Sequence, residues 1–157
     1  MEQIAIELYD FYASSESWEI YNDAVMFLKA LKESHCGIKT GMITNFDRRI
    51  LGLLEQFGIS HLIDVKVFAE QARKSKPDPN IFLQAAFSSK IEALRPDECL
   101  HIGDSVDTDY LGAIGAGWNA KVIHRTSSDD ISASKKVDPK HVFTGFCSIY
   151  YDILPSI

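Results

Sequence analysis

The run from Leu100 to Gly117, LHIGDSVDTDYLGAIGAG, places two carboxylates, Asp104 and Asp109, with Asp107 between them, directly after a short apolar stretch that Gly103 breaks. An apolar stretch of that length, Cys99 to Ile102, predicts one buried strand. The small-residue stretch Leu111 to Ala116, closed by Gly117, predicts a helix. A strand feeding a helix in this way puts its carboxylates at the strand's carboxyl end, where open parallel sheets bind their ligands. Acidic oxygens gathered there repel one another unless water or a hard cation lies among them. Oxygen ligands with retained water and a phosphate partner suit Mg²⁺. The competing reading is structural, because an Asp after a strand commonly caps a helix.

The elements that must position these groups follow in chain order. Met1 to Tyr12 carries Ile4, Leu8, Phe11 and Tyr12 at helical spacing. ASSESWEIYNDA reads as a loop anchored by Trp18 and Ile20, and Ala24 to Leu31 as a second helix. Ile38 to Asn45 is a strand ending at Thr44 and Asn45; Asp47 is placed to cap a helix from Arg49 to Phe57 that stops before Gly58. Ile63 to Ala69 is the next strand, followed by the loop RKSKPDPN and a helix from Asn80 to Phe87 that starts after Pro79. Lys121 to Ile123 is a further strand, Thr126 to Asp138 an exposed loop, His141 to Phe143 a last strand and Phe146 to Leu154 a last helix. Strands alternating with helices predict an α/β fold, a parallel sheet layered between helices.

In such a sheet the carboxyl ends of the strands share one edge. Three polar clusters therefore converge: Thr44 with Asn45, the loop carrying Lys76, and Asp104 with Asp109. Thr44 offers a hydroxyl donor to a phosphoryl oxygen, and the amides at the start of the next helix add more. Lys76 supplies a point charge that offsets repulsion between phosphate and carboxylates, with Pro77 and Pro79 stiffening its loop. Asp104 is placed to hold the metal, and Asp109 to hold it or to orient a ligand. Singly, each residue has a blander reading. Lys76 alone is a surface lysine, His101 a strand-packing histidine, and Arg48, Arg49, Arg73 and Lys74 a solvated face.

Composition narrows the classes. The chain has 157 residues, 46% hydrophobic and 24% charged, with a net charge of −6. That size suits one domain or part of a larger one. The acidic balance gives no electrostatic case for nucleic acid or an anionic membrane as partner. Nothing reaches the length of a membrane span, and MEQIAIELYDFY lacks the basic start of a signal peptide. Three cysteines, Cys36, Cys99 and Cys147, have no paired metal spacing, and the chain reads as cytoplasmic.

Taken together, ITN, SKPDP and HIGDSVDTD resemble the second, third and fourth motifs of the haloacid dehalogenase-like hydrolases. The resemblance covers nearly the whole chain and weakens after about Thr126. It implies a three-layer, Rossmann-like core in which Thr44 and Asn45 bind phosphate, Lys76 steadies the nucleophile and the phosphate, and Asp104 and Asp109 hold Mg²⁺. The implied activity is hydrolysis of a small phosphorylated molecule through an aspartyl-phosphate. The family's nucleophilic Asp and its acid/base partner lie in a DxDxT-type motif on a first strand, and no such motif precedes Thr44 here. Residues 1–22 resemble the end of the family's helical cap, with 23–157 as an incomplete core. The resemblance thus predicts a chain inactive alone, with a strand missing between those that end at Thr44 and Ile102. The alternative is a non-catalytic module that binds Mg²⁺, phosphate or a protein partner. A flavodoxin-like or receiver fold also has carboxylates, Thr and Lys at strand ends, but it puts its paired acids near the chain start.

Overall fold

A computed structural model of the chain describes residues 2–34, 36–126 and 136–153. Helix α1 (Glu2–Ala13) and α2 (Asn22–Glu33) precede β1 (Gly41–Thr44), α3 (Arg49–Gln56), β2 (Val65–Phe68), the short α4 (Ala69–Ala72) and α5 (Pro79–Ser88). Then come β3 (Leu100–Gly103), a π-helical turn (Val106–Tyr110), α6 (Leu111–Gly115), β4 (Asn119–Ile123), β5 (Val142–Phe143) and α7 (Phe146–Ile153). The architecture is α/β with parallel strands and covering helices, as the alternation of apolar runs predicts.

The strands form two sheets, divided between β1 and β3, where the resemblance places the missing strand. β1 pairs with β2, while β3, β4 and β5 form a second parallel sheet in that order. No ladder joins β1 to β3.

Several boundaries also move, for local reasons. The strand expected from Ile38 starts only at Gly41. Just before it, the Thr40 N–H donates to Asp64 Oδ2 at 2.8 Å and Thr40 Oγ1 donates to the Leu62 carbonyl at 2.6 Å. The helix expected from Leu111 is preceded by the π turn, because the amides of Asp109 and Tyr110 both donate to the Ser105 carbonyl. α4 was not expected. Most of the loop expected from Thr126 to Asp138, and Leu154 at the end of the last helix, lie outside the described residues.

Two apolar layers cover the strands. On one side α5 inserts Ile81 and Phe82, both fully buried, beneath residues of both sheets, including Ile43, Val67, Ala120 and Val122. The Phe82 ring meets His101 edge-on at 5.1 Å and Trp118 at 5.6 Å. On the other side Phe27 and Leu31 of α2 pack with Ile149 of α7 and Ile123 of β4. A polar clasp fixes these two helices. Asp23 accepts the Phe146 N–H at 2.9 Å and two hydrogen bonds from Arg125, at 3.1 and 3.0 Å. Helix α1 is apolar and exposed along much of its length, with Ile4, Leu8 and Phe11 all more than half exposed.

Two outcomes follow from this packing. Phe82→Ala removes a fully buried ring from the layer shared by the two sheets and is expected to cost ~3–5 kcal/mol in chemical denaturation; a loss below ~1 kcal/mol would contradict its bridging role. The second concerns Asp64. Burial pushes its carboxyl up, but hydrogen bonds from Lys32 and Thr40 and the charge of Lys32 outweigh that and lower it to about 2. A carboxyl held below its unfolded value stabilises the fold above that value, near 3.9, and loses the contribution as pH falls toward the folded value. Asp64→Asn is therefore expected to cost about 2 kcal/mol at neutral pH, with the gap from the native chain closing between pH 4 and about 2. A gap that persists unchanged at pH 2 would contradict this.

Candidate functional site

The loop after β2 crosses over the carboxyl ends of both sheets and sets Lys76 between them. Asp78 caps α5 by accepting the Asn80 N–H at 2.9 Å. Gly112 of α6 lies so close that an added Cβ would sit 3.0 Å from Pro77 and 3.1 Å from Phe82. On the β1 side, the Lys76 N–H donates to Asn45 Oδ1 at 2.8 Å and Asn45 Nδ2 donates to the Lys76 carbonyl at 3.1 Å. On the β3 side, Lys76 Nζ donates to Asp109 Oδ1 at 2.5 Å. The Lys76 side chain is only 13% exposed and that of Asp109 4%, so this is not the surface lysine that its residue type suggests.

Asp109 is held from three directions. Besides Lys76, His101 Nε2 lies 3.0 Å from Oδ1, and the Ser105 N–H donates to Oδ2 at 3.0 Å. An ionised carboxylate only accepts, so His101 presents its Nε2–H. Burial pushes the Asp109 carboxyl up. The hydrogen bonds from His101 and Lys76, the Lys76 charge and the Ser105 amide outweigh it and hold the group far below the ordinary carboxylate range. Three bonds occupy three of the roughly four acceptor positions on a carboxylate.

Gly103 makes this possible. An added Cβ there would fall 2.3 Å from Asp109 Cγ. The wide π turn swings Asp109 back against the end of β3, and only a glycine leaves room for it.

The other predicted residues lie on the same edge. Thr44 ends β1, half-buried, and its Oγ1 accepts the Phe46 N–H at 3.0 Å, leaving its own O–H to donate. Asn45 is exposed beside it. Asp104 is exposed just past β3, with no partner for its carboxylate among the described residues. Asp107 is turned outward in an ion pair with Lys136 at 3.0 Å. Thr44, Asn45, Lys76, Asp104 and Asp109 thus share one mouth across the two sheets.

His101 is buried and packs on Phe82, as its apolar strand predicts, but its bond to Asp109 was missed. The available signal was a polar residue two positions before the glycine that Asp109 needs. Arg49 also departs from the expected solvated face. It is 17% exposed, forks onto Asp47, and lies 4.3 Å from the centre of the Tyr9 ring and 4.9 Å from that of Phe46. Arg48, Arg73 and Lys74 are exposed as expected.

A sequence profile described as haloacid dehalogenase-like hydrolase matches residues 1–117. The chain belongs to the haloacid dehalogenase-like hydrolases. Among its relatives in this family, the Rhythmically expressed gene 2 protein of Drosophila melanogaster is 36% identical over 142 residues, covering 87% of this chain and 54% of the relative. Haloacid dehalogenase-like hydrolase domain-containing protein 3 of Danio rerio is 31% identical over 142 residues, covering 90% and 56%. The chain spans about half the length of these curated relatives. Its fold matches the crystal structure of a HAD phosphatase from Thermococcus onnurineus with a TM-score of 0.78 at 25% identity, covering 95% of this chain and 63% of that one.

The donor set at the mouth of this haloacid dehalogenase-like chain fits Mg²⁺ in a limited way. Among the described residues no group of three or more His, Cys, Asp and Glu side chains is arranged to enclose a metal. Mg²⁺ does not need such a cage. It keeps several waters and is commonly bound through one or two carboxylates plus a phosphate. The open Asp104 carboxylate meets that requirement.

The close approach at Gly103 gives a direct test. Gly103→Ala forces Asp109 out of its bonds and is expected to cost ~1–3 kcal/mol, the usual penalty of overpacking. Gly115→Ala, on α6 with nothing within 4 Å of an added Cβ, is expected to be neutral or stabilising by roughly 0.5–1 kcal/mol. Equal melting transitions for the two variants would refute the account of Gly103.

Proposed function

We propose that this mouth is the phosphate- and metal-binding part of a Mg²⁺-dependent phosphohydrolase site that acts on small phosphate esters. The supporting observation is the convergence of Thr44, Asn45, Lys76, Asp104 and Asp109 at the carboxyl ends of two sheets, bridged by Lys76. On this reading Asp104 would hold Mg²⁺, which would supply positive charge against a phosphoryl group. Asp109, with most of its acceptor capacity spent within the chain, positions Lys76 and the π turn more than it binds the ion. The Thr44 hydroxyl and the Asn45 backbone donate to phosphoryl oxygens, and the Lys76 ammonium lies close enough to offset a second negative group. Residues 1–22 are read as the end of a helical cap over a core formed by the rest.

An aspartyl-phosphate route needs an attacking carboxylate, and among the described residues no group of three or more His, Cys, Asp and Glu side chains gathers at the mouth. The same observation favours a second reading, a non-catalytic module that binds Mg²⁺ or phosphate without turning over an ester.

Calorimetric titration with Mg²⁺ tests the shared part of both readings. Asp104→Asn is expected to weaken Mg²⁺ binding by at least about tenfold with an unchanged melting transition; equal affinity removes Asp104 from the site. Hydrolysis of an aryl phosphate with Mg²⁺, compared with Asp104→Ala, then separates the two. Activity lost in the variant supports the hydrolase, and no activity in either supports the binding module.

A further inference from the structure

Residues 18–21 lead into α2 and belong to no helix or strand. Their backbone is extended at both ends: Trp18 has φ −133° and ψ 146°, and Tyr21 has φ −72° and ψ 122°. Tyr21 is 58% exposed, and no described residue hydrogen-bonds its hydroxyl. We propose that Tyr21 is a phosphorylation site, the acceptor for a tyrosine kinase that recognises an extended, acidic segment.

Backbone conformation singles out this tyrosine. Tyr9 and Tyr12 lie in α1, Tyr110 in the π turn, and Tyr150 and Tyr151 in α7. A kinase must hold the chain on both sides of the acceptor to aim one hydroxyl at a γ-phosphate. Helical backbone has spent its N–H and C=O groups on its own turns, so a helical tyrosine is presented only after unwinding. An extended segment offers those groups to a groove directly. Tyr151 is more exposed than Tyr21, at 75%, yet it lies inside α7. Two neighbours tether the segment: Ile20 packs against the cluster around Leu54, and the Trp18 ring meets Phe46 edge-on at 5.7 Å. Glu19 and Tyr21 face solvent between and beyond them.

Charge sets the kind of partner. No Lys or Arg occurs from Met1 to Leu28, and Glu16, Glu19 and Asp23 flank Tyr21. A substrate groove that takes this segment must therefore be basic, since a like-charged groove would repel it. In the transfer, Tyr21 Oη attacks the γ-phosphorus of a nucleoside triphosphate held with Mg²⁺ on the kinase. The new P–O bond forms as the bond to the β-phosphate oxygen breaks, the nucleoside diphosphate leaves, and the phenolic proton passes to the kinase's catalytic carboxylate.

The product meets a counter-charge already in place. Phosphotyrosine carries about −1.5 to −2 charge at neutral pH. The Arg125 guanidinium lies 3.7 Å from the centre of the Tyr21 ring. Its N–H donors outnumber the two bonds it gives Asp23. β4 ends at Ile123, so Arg125 and the ring beneath it lie at the carboxyl edge of the second sheet, and the modification would add negative charge to that edge. The inference rests on the segment before α2 and does not depend on the phosphohydrolase reading.

The test is incubation of the full chain with the catalytic domain of a soluble, broad-specificity tyrosine kinase and Mg²⁺–ATP, followed by mass mapping of the peptides. A synthetic peptide of residues 14–26 is treated in parallel. Phosphoryl transfer is expected at Tyr21, with incorporation at the helical tyrosines lower by about tenfold or more because local unwinding must come first. Tyr21→Phe keeps the ring under Arg125; it is expected to remove most of the incorporation and leave the melting transition unchanged. Glu19→Lys, at an exposed position, is expected to slow transfer by about threefold or more. A peptide that is modified while the folded chain is not overturns the proposal, because the fold then closes the segment. So does a chain left unmodified together with the peptide, incorporation led by another tyrosine, or undiminished incorporation in Tyr21→Phe. An unchanged rate in Glu19→Lys overturns the recognition by charge.

Discussion

The ion pair between Lys76 and Asp109 is the polar tie on which the mouth depends. It is nearly dry, and a buried pair of this kind is a constraint before it is a source of stability. Desolvating both charges costs several kcal/mol each, so removing one partner is far worse than never having had the pair. His101 and the Ser105 amide complete the bonding of the carboxylate, and Asn45 fixes the backbone of the lysine. The arrangement is satisfied only when β1, β3, the loop after β2 and the π turn are all in place. A break in any one leaves a buried charge exposed to the others.

This tie also explains why the split between the sheets does not make two separate bodies. Below the strands, α5 places Phe82 under both sheets, where its ring meets His101 and Trp118. Above them, α2 and α7 close over β4. Polar contact at the mouth and apolar contact beneath it hold β1 and β3 at the two sides of a gap that backbone pairing does not bridge. The His101 ring belongs to both systems. One edge packs on Phe82 and one nitrogen bonds Asp109, so the packing of α5 and the position of the carboxylate are mechanically linked.

Much of this was readable in the residues. Apolar runs bounded by Gly and Thr marked the strands, and the rule that parallel strands share a carboxyl edge brought Thr44, Lys76, Asp104 and Asp109 together before any coordinates. What escaped depends on contacts between residues distant in the chain. The gap between β1 and β3 was legible only through the family resemblance, because pairing partners are set by long-range geometry and nothing local in GMIT or LHIG says that these strands do not meet. Arg49 reads as solvated because its ring partner Tyr9 is 40 positions away. The π turn was hidden because its cause is one carbonyl, that of Ser105, accepting two amides, a pattern with no residue signature. His101 packs in the core as its strand suggests, but its bond to Asp109 was not legible because a histidine in an apolar strand looks the same whether or not a carboxylate waits beside it.

The clasp between α2 and α7 carries a consequence for how the chain is made. Phe27 and Leu31 find their buried environment largely against Ile149, a residue synthesised more than a hundred positions later, and Asp23 waits equally long for Arg125 and the Phe146 amide. At ribosomal rates of roughly 5–20 residues per second, that interval is on the order of ten seconds. Throughout it the apolar face of α2 has no native cover from α7. A nascent chain with this topology carries an α2 face without its native cover until α7 has emerged.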